Sequence, residues 1–389
     1  MQPLEGFRVL DLTHVLAGPC ATHHLRCLGA EVIKVERPVT GDPMRELAVR
    51  PEMEGVPPAF RALNTGKKSV VVDLATPAGR AALLNLARDA DIFVENFRPG
   101  AARRLGVGPE EIRAVQPKII YCSISGWGQS GSNSARGAYD HVIQAATGMM
   151  ALQSTPGTKA PVKVGFPVVD IATGMSAAEA ILAAVVRRLR GDTSPITIDV
   201  SMVDAALALM SGPAAATLAT GKAPERVGNR GFVGSPGAET FATSDGYISV
   251  AANTMRQFAT LCRLLGRPDL SAPPYIRAGI AAGAFLTNLA TDALRGELAQ
   301  AFAAAGADAL ETALNAEGVP ASRVRDLHEY LSEGYKDTPG IGIAGEPFAF
   351  RPAFRWEESD GIALPPAPRL GADTDSLIAT SDVRLRISP

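Results

Sequence analysis

Three things are scarce in this chain, and each scarcity narrows what it can be. Cysteine is the first: there are four in 389 residues, Cys20, Cys27, Cys122 and Cys262. They lie far apart, with no CxxC and no histidine at ligand spacing, so neither a disulfide frame nor a metal site is expected. An excess of one charge is also lacking. Lys and Arg total 38 against 40 Asp and Glu, for a net charge of −2. Nucleic acid selects a basic face and is not expected as a partner. Long apolar runs are missing as well. No stretch reads as long enough to span a membrane, and polar and proline residues rather than a secretory leader follow Met1. These absences lead us to expect a reduced, cytoplasmic, soluble protein with room for one large core or two smaller ones.

What is present is an alternation of strands and helices. Arg8–Leu12 is a short apolar strand, Pro19–Leu28 a helix stopped by Gly29, and Glu31–Glu36 a second strand. This βαβ unit predicts parallel pairing with a right-handed crossover. Glu36 stands where a dinucleotide fold holds a ribose. The turn before the helix carries only Gly18, however, so the glycine fingerprint for pyrophosphate is absent and neither nicotinamide nor flavin is expected. Strands Ser69–Leu74, Asp91–Val94 and Lys118–Ser123 continue the alternation, with helices at Pro77–Arg88 and through Arg103-Arg104. The pattern predicts a Rossmann-like, doubly wound α/β sheet that binds ligands at the carboxyl ends of its strands. Loops predicted near those ends carry Arg37, Lys67, Lys68, Arg98 and Arg104. Singly these are solvated charges; together they suit a polyanionic ligand with phosphates.

Val162–Gly191 holds one carboxylate in a suggestive place. An apolar run, Gly165–Val169, leads to Asp170, Thr173-Gly174 reads as a turn, and Met175–Leu189 as an alanine-rich helix ended by basic residues and Gly191. Asp170 is thus expected just before a helix N-terminus, where free N–H groups and the macrodipole favour its ionised form. Capping the helix and doing chemistry are both open to it. A helix is expected from Ala138 to about Leu152, a strand at Thr197–Val200, and one helix over Met202–Thr220. The texture changes near Ala223. Arg226–Gly237 is glycine-rich, Thr240–Ala252 reads as a strand pair around Asp245-Gly246, and helices follow at Met255–Leu265, Thr291–Ala305 and Ala307–Glu317. Gly340–Phe350 and Ala353–Trp356 read as strands completing a sheet.

From about Leu4 to Leu377 these pieces resemble the class III coenzyme A transferases, which share their fold with α-methylacyl-CoA racemase. The resemblance is carried by Gly6–Pro19 (GFRVLDLTHVLAGP), Leu28–Glu36 (LGAEVIKVE), Leu63–Asp73, Asp91–Gly106 (DIFVENFRPGAARRLG), Ser125–Gly128, Ala138–Gly148 (AYDHVIQAATG), Pro167–Gly174 (PVVDIATG) and Gly318–Val324. No single piece is specific, whereas their order and spacing are. The resemblance implies a large α/β domain built from both chain ends (1–222 and 326–389), a smaller α/β domain inserted between them (223–325), and a homodimer interlocked like linked rings. It implies transfer of coenzyme A from an acyl-CoA to a carboxylic acid, with no metal, nicotinamide or flavin. Asp170 corresponds to the family nucleophile. The CoA contacts map onto His14, Val15, Ala17, Arg37, Asn96, Phe97 and Arg104, with Lys67 and Lys68 in a motif of less defined role. Tyr139 matches a residue lining the acyl end.

Two departures stand out. Leu16 replaces the glutamine of formyl-CoA transferases, and Gly231–Gly237 (GFVGSPG, with Gly234 at its centre) is the nearest material to their tetraglycine loop, so a formyl or oxalyl substrate is not expected. Two rival readings are a racemase and a CoA-binding protein without turnover. The racemase branch has a histidine at the position of Tyr139. Here His141 comes two residues later, on a helix that turns it by about 200° to another face, and tyrosine, with a reference pKa of ~10, is a poor neutral-pH base.

Overall fold

The computed structural model describes residues 2–47, 56–153, 157, 160–231, 233–333, 341–343, 346–350, 353–354 and 364–378. The chain divides into two compact units, one formed by Met1–Met150, Lys163–Ala223 and Thr338–Pro389, the other by Ala151–Val162 and Pro224–Asp337.

The first unit opens with β1 (Arg8–Leu12), α1 (Ala17–Cys27), β2 (Glu31–Glu36), α2 (Pro58–Asn64), β3 (Lys68–Val71) and α3 (Pro77–Arg88). It continues through β4 (Ile92–Glu95), α4 (Ala101–Arg104), α5 (Pro109–Val115), β5 (Ile120–Ser125), α6 (Asp140–Ala146) and the start of α7 (Met149–Leu152), whose Ala151 and Leu152 belong to the second unit. Then come α8 (Val168–Leu189), β6 (Ile196–Ser201), α9 (Met202–Leu209) and α10 (Ser211–Thr220). The six strands form one sheet in the order β3-β2-β1-β4-β5-β6, every pair parallel. This is an α/β fold with the expected parallel sheet. Both faces are covered, so β2, β4 and β5 are almost wholly buried rather than alternating. Val9, Val32, Val94 and Ile120 pack against Ala21, Leu25, Ala177 and Ile181 of α1 and α8. On the other face Leu10, Ile33, Phe93 and Tyr121 meet Leu83, Leu86 and Ile112 of α3 and α5. Strand order reverses between β1 and β4, and the crevice beyond their carboxyl ends is where such sheets take ligands.

Three expectations are corrected in this unit. The helix carrying Asp170 begins at Val168, not after Thr173-Gly174. Gly174 is no turn: a Cβ there would lie 2.6 Å from the Ala17 carbonyl oxygen and 2.6 Å from Cys20 Cβ, so it is where α1 and α8 approach closely. Thr173 Oγ1 donates to the Val169 carbonyl at 2.7 Å, which keeps it inside the helix. By length and composition this 22-residue helix is apolar enough to cross a membrane, which the sequence reading did not expect. It packs instead on α1 and the sheet through Ala177, Ile181, Ala184 and Val185. The expected Met202–Thr220 helix is bent by 83° at Met210, where Pro213 has no N–H to continue the ladder.

The edge strand β3 is sealed by the chain's far end. Ser69 N–H donates to Asp373 Oδ2 (2.9 Å) and Val71 N–H to Thr374 Oγ1 (3.0 Å), which satisfies groups an open edge would expose. β10 (Ile341–Ile343) and β11 (Glu346–Phe350) form their own antiparallel pair instead of joining the main sheet. Of the strand expected at Ala353–Trp356, Ala353 and Phe354 are not in a strand, and the rest lies outside the described residues.

In the second unit β7 (Gly237–Ala242), β8 (Tyr247–Ala252) and β9 (Ala321–Arg323) form an antiparallel sheet. It is accompanied by α11 (Met255–Leu264), α12 (Asp292–Ala303), α13 (Ala307–Ala316) and α14 (Leu327–Glu333). Phe241 and Phe302 stack at 4.1 Å in a core with Ile248, Phe258 and Leu314. Residues 151–162 and 326–337 also fall in this unit. Arg323 of β9 donates to Glu329 of α14 at 3.1 Å, holding the latter segment there.

Candidate active site

The crevice at the strand reversal is built around the loop Thr13–Leu16, and buried charge locks that loop from below. Asp11 accepts the Thr13 N–H (2.9 Å), the Thr22 hydroxyl (2.7 Å) and Lys67 Nζ (2.9 Å). Burial alone would raise its pKa, but the cations of Lys67 and Lys34 bring it down to about 2. Lys34 donates to the Thr13 carbonyl (2.8 Å) and pairs with Asp42 (2.9 Å). Asp42 also accepts the Val15 N–H (3.2 Å), fixing that residue at φ 71°, a left-handed conformation costly for a β-branched side chain. Across the reversal Asn96 clamps His14 twice: it accepts the His14 N–H (3.0 Å) and donates to the His14 carbonyl (2.8 Å). Leu16 then caps α1, and Ala17 is its buried first residue.

A cavity of about 330 Å³ opens beside this loop, walled by His14, Arg37, Asp73, Leu74, Phe97 and Leu105 among others. His14 and Phe97 face each other with ring centroids 6.0 Å apart. Burial lowers the His14 pKa from its ordinary value. The structure therefore gathers His14, Val15, Arg37, Asn96 and Phe97. Arg104 is exposed on α4 and is not part of the cavity wall, though its neighbour Leu105 is.

The two lysines are corrections. Lys67 is fully enclosed, also donating to the Pro19 carbonyl (3.1 Å) and the Thr22 hydroxyl (2.7 Å), so a phosphate has no approach to it. Lys68 pairs with Glu31 at 2.5 Å, at the amino ends of the strands and away from the crevice. A polar motif read along the sequence does not reveal which end of a strand each residue will occupy.

Asp170 lies in the first turn of α8, half-buried. Its backbone N–H and that of Val169 donate to one oxygen of Asp140, at 3.0 and 2.7 Å. The helix-end amides that were expected to keep Asp170 ionised are thus engaged by another carboxylate. Burial, and then the Asp140 charge, push the Asp170 pKa up from 3.8 to about 7. Sequence reasoning missed Asp140 and its partner Gln144; the Asp-x-x-x-Gln spacing at the start of α6 was the available signal. Tyr139 caps α6 in an extended conformation and is exposed. Because Tyr139 is not helical, the expected 200° separation does not arise, and its ring lies parallel to His141 at 6.3 Å. In the second unit Gly234 adopts φ 65°, and a Cβ there would meet Asn288 Oδ1 at 3.0 Å. Phe232 of the same loop lies outside the described residues.

The sequence model of CoA-transferase family III matches residues 4–374. The chain belongs to this family. It is 34% identical over 391 residues to succinyl-CoA:glutarate CoA-transferase from Mus musculus, covering 97% of this chain and 86% of that protein. A CAIB/BAIF family protein from Brucella suis superposes with a TM-score of 0.86 at 31% identity, covering 98% and 100% of the two chains. Rv3272 from M. tuberculosis does so with 0.81 at 31%, covering 97% and 99%. The protein is a CoA-transferase, and the family implies an acyl-CoA and a carboxylate as its substrates. Among the transferase's described residues, no group of three or more His, Cys, Asp or Glu could hold a metal ion.

Proposed function

We propose that the transferase moves CoA from an acyl-CoA donor to a carboxylic acid through covalent intermediates on Asp170. The observation that carries this is a half-buried carboxylate in the first turn of α8, its backbone N–H held by Asp140, its pKa pushed up to about 7 by burial and the Asp140 charge, with no cation acting on it among the described residues. A raised pKa makes a carboxylate a stronger nucleophile while leaving much of it ionised at neutral pH. Asp170 attacks the donor thioester carbonyl and CoA leaves as thiolate, giving a mixed anhydride. The thiolate attacks the Asp170 carbonyl, releasing the donor acid and leaving an aspartyl-CoA thioester. The acceptor carboxylate displaces the thiolate, which then takes the acceptor acyl group and frees Asp170. The cavity at His14, Arg37 and Phe97 suits the nucleotide end of CoA, with Arg37 meeting phosphate.

The mouse relative's name makes succinyl-CoA with glutarate the first pair to assay. A second copy of this chain is the partner we assign to the apolar faces. α10 buries none of its residues, and Leu207, Leu209 and Leu218 are 42, 51 and 87% exposed. This supports the homodimer of interlocked protomers, with light scattering as its test. Succinyl-CoA plus hydroxylamine is expected to convert Asp170 to its hydroxamate, detectable in its tryptic peptide and absent from Asp170→Asn. Label on any other residue contradicts the assignment. So does α-carbon deuterium exchange that survives Asp170→Asn and is lost in His141→Ala.

A further inference from the structure

Asp140 takes no part in those steps, yet it touches the turn that carries Asp170. It is the first residue of α6 and only 9% exposed. Its partners among the described residues are N–H groups of Gln144, Val169 and Asp170 and no cation, although a buried carboxylate ordinarily has one. Its Oδ2 accepts the N–H groups of Val169 and Asp170 at 2.7 and 3.0 Å. Its Oδ1 accepts Gln144 Nε2 at 2.5 Å, and Gln144 Oε1 accepts the Val164 N–H at 2.9 Å, so the approach to α8 is held from the same network. The cap position of α8 is Pro167, which has no side chain able to do this work. A neutral Ser or Asn there would satisfy the same amides at little cost. The chain instead brings in a full negative charge from 29 residues upstream of Val169.

We propose that Asp140 is a positioning residue of the transfer reaction: it orients the Asp170 turn through two backbone N–H groups and keeps a negative charge behind the nucleophile. The inference rests on Asp170 being the covalent carrier. Its energetic logic is direct. Asp170 is charged only as the free carboxylate, and it is neutral in the anhydride and in the thioester. Like-charge repulsion therefore raises the free carboxylate relative to both covalent states and favours attack. The charge acting on Asp170 is that of Asp140 from α6, and burial pushes the neighbouring Cys20 thiol of α1 up to about 11.

The test is a carbon-13 NMR titration of carboxyl-labelled aspartates in the full chain, with Asp170→Asn assigning the resonance, alongside kcat–pH profiles for succinyl-CoA and glutarate. In the wild type Asp170 is expected to titrate near 7, as its surroundings dictate. In Asp140→Asn, which keeps an acceptor for the two N–H groups but loses the charge, it is expected about one pH unit or more lower. The acid limb of kcat should move by the same amount, with KM within about twofold. Asp140→Ala loses orientation as well, and kcat is expected to fall about 10²-fold. An Asp170 titration unmoved by Asp140→Asn overturns the role of Asp140. So does a wild-type Asp170 titrating in the ordinary carboxylate range, a result that decides even where the variants fail to fold. A titration that behaves as stated, in a protein that succinyl-CoA never labels at Asp170, overturns the carrier assignment and the positioning role with it.

Discussion

Asp11 and Asp170 lie in the same compact unit, both out of full solvent, and they end at opposite extremes: one at about 2, the other at about 7. Burial raises both. The difference is the company. Asp11 has Lys67, Lys34 and two threonine hydroxyls around it, whereas Asp170 has Asp140. The first carboxylate is fully neutralised and its task is to hold the floor of a loop. The second has no counter-ion among the described residues, which costs stability and holds its pKa high. The sign of the nearest charge, rather than depth, separates these two aspartates.

That contrast can be broken from the structural side first, where the largest effect is expected. Lys67→Met leaves Asp11 buried with its closest cation gone and should destabilise the protein by about 3–5 kcal/mol in chemical unfolding. A loss under about 1 kcal/mol would show that the pair does not hold the loop. Next in size is Gly174→Val, which forces α1 and α8 apart where a Cβ comes within 2.6 Å of the Ala17 carbonyl oxygen. About 1–3 kcal/mol should be lost, together with most of the turnover. Arg37 and Lys68 sharpen the comparison on the ligand side. Arg37→Ala should weaken CoA about tenfold by calorimetry, the equivalent of about 1.4 kcal/mol, while Lys68→Ala, at the far end of the strands, should change it less than about twofold. Equal losses would mean that the phosphates lie elsewhere.

The last effect carries a sign. The pKa of Asp170 is higher folded than the 3.8 of an unperturbed aspartate. Between those values the native state holds more protons than the unfolded one, so this group's contribution to stability declines as pH rises from about 4 through 7. Asp170→Asn removes the penalty. Its thermal midpoint should exceed the wild type's by a few degrees at pH 8 and match it at pH 4. A lower midpoint at pH 8 would place an unrecognised cation beside Asp170.

Much of the sheet was legible because β1, β2, β4 and β5 are apolar runs spaced by helical patterns. Three features were not. Thr173-Gly174 carries the composition of a turn, and only the packing of α8 on α1 reveals that the glycine serves close approach. Lys67 and Lys68 are adjacent in sequence yet serve a buried pair and an exposed strand end, a distinction set by the neighbouring strands. Asp140 looked like an ordinary first-turn helix residue. Its partners lie 29 and 30 residues away, beyond the reach of any local pattern. Asp170 was singled out in the sequence, whereas its setting was not: the helix terminus expected to keep it anionic is occupied by Asp140.

The central claim is that Asp170 carries CoA covalently, and the oxygen atoms keep the record. In the proposed steps one Asp170 carboxylate oxygen departs with the donor acid, and one acceptor oxygen replaces it. Turnover of succinyl-CoA with oxygen-18 glutarate should therefore leave oxygen-18 in the side chain of Asp170, read by mass spectrometry of its peptide. Formation of glutaryl-CoA with Asp170 unlabelled would contradict the account.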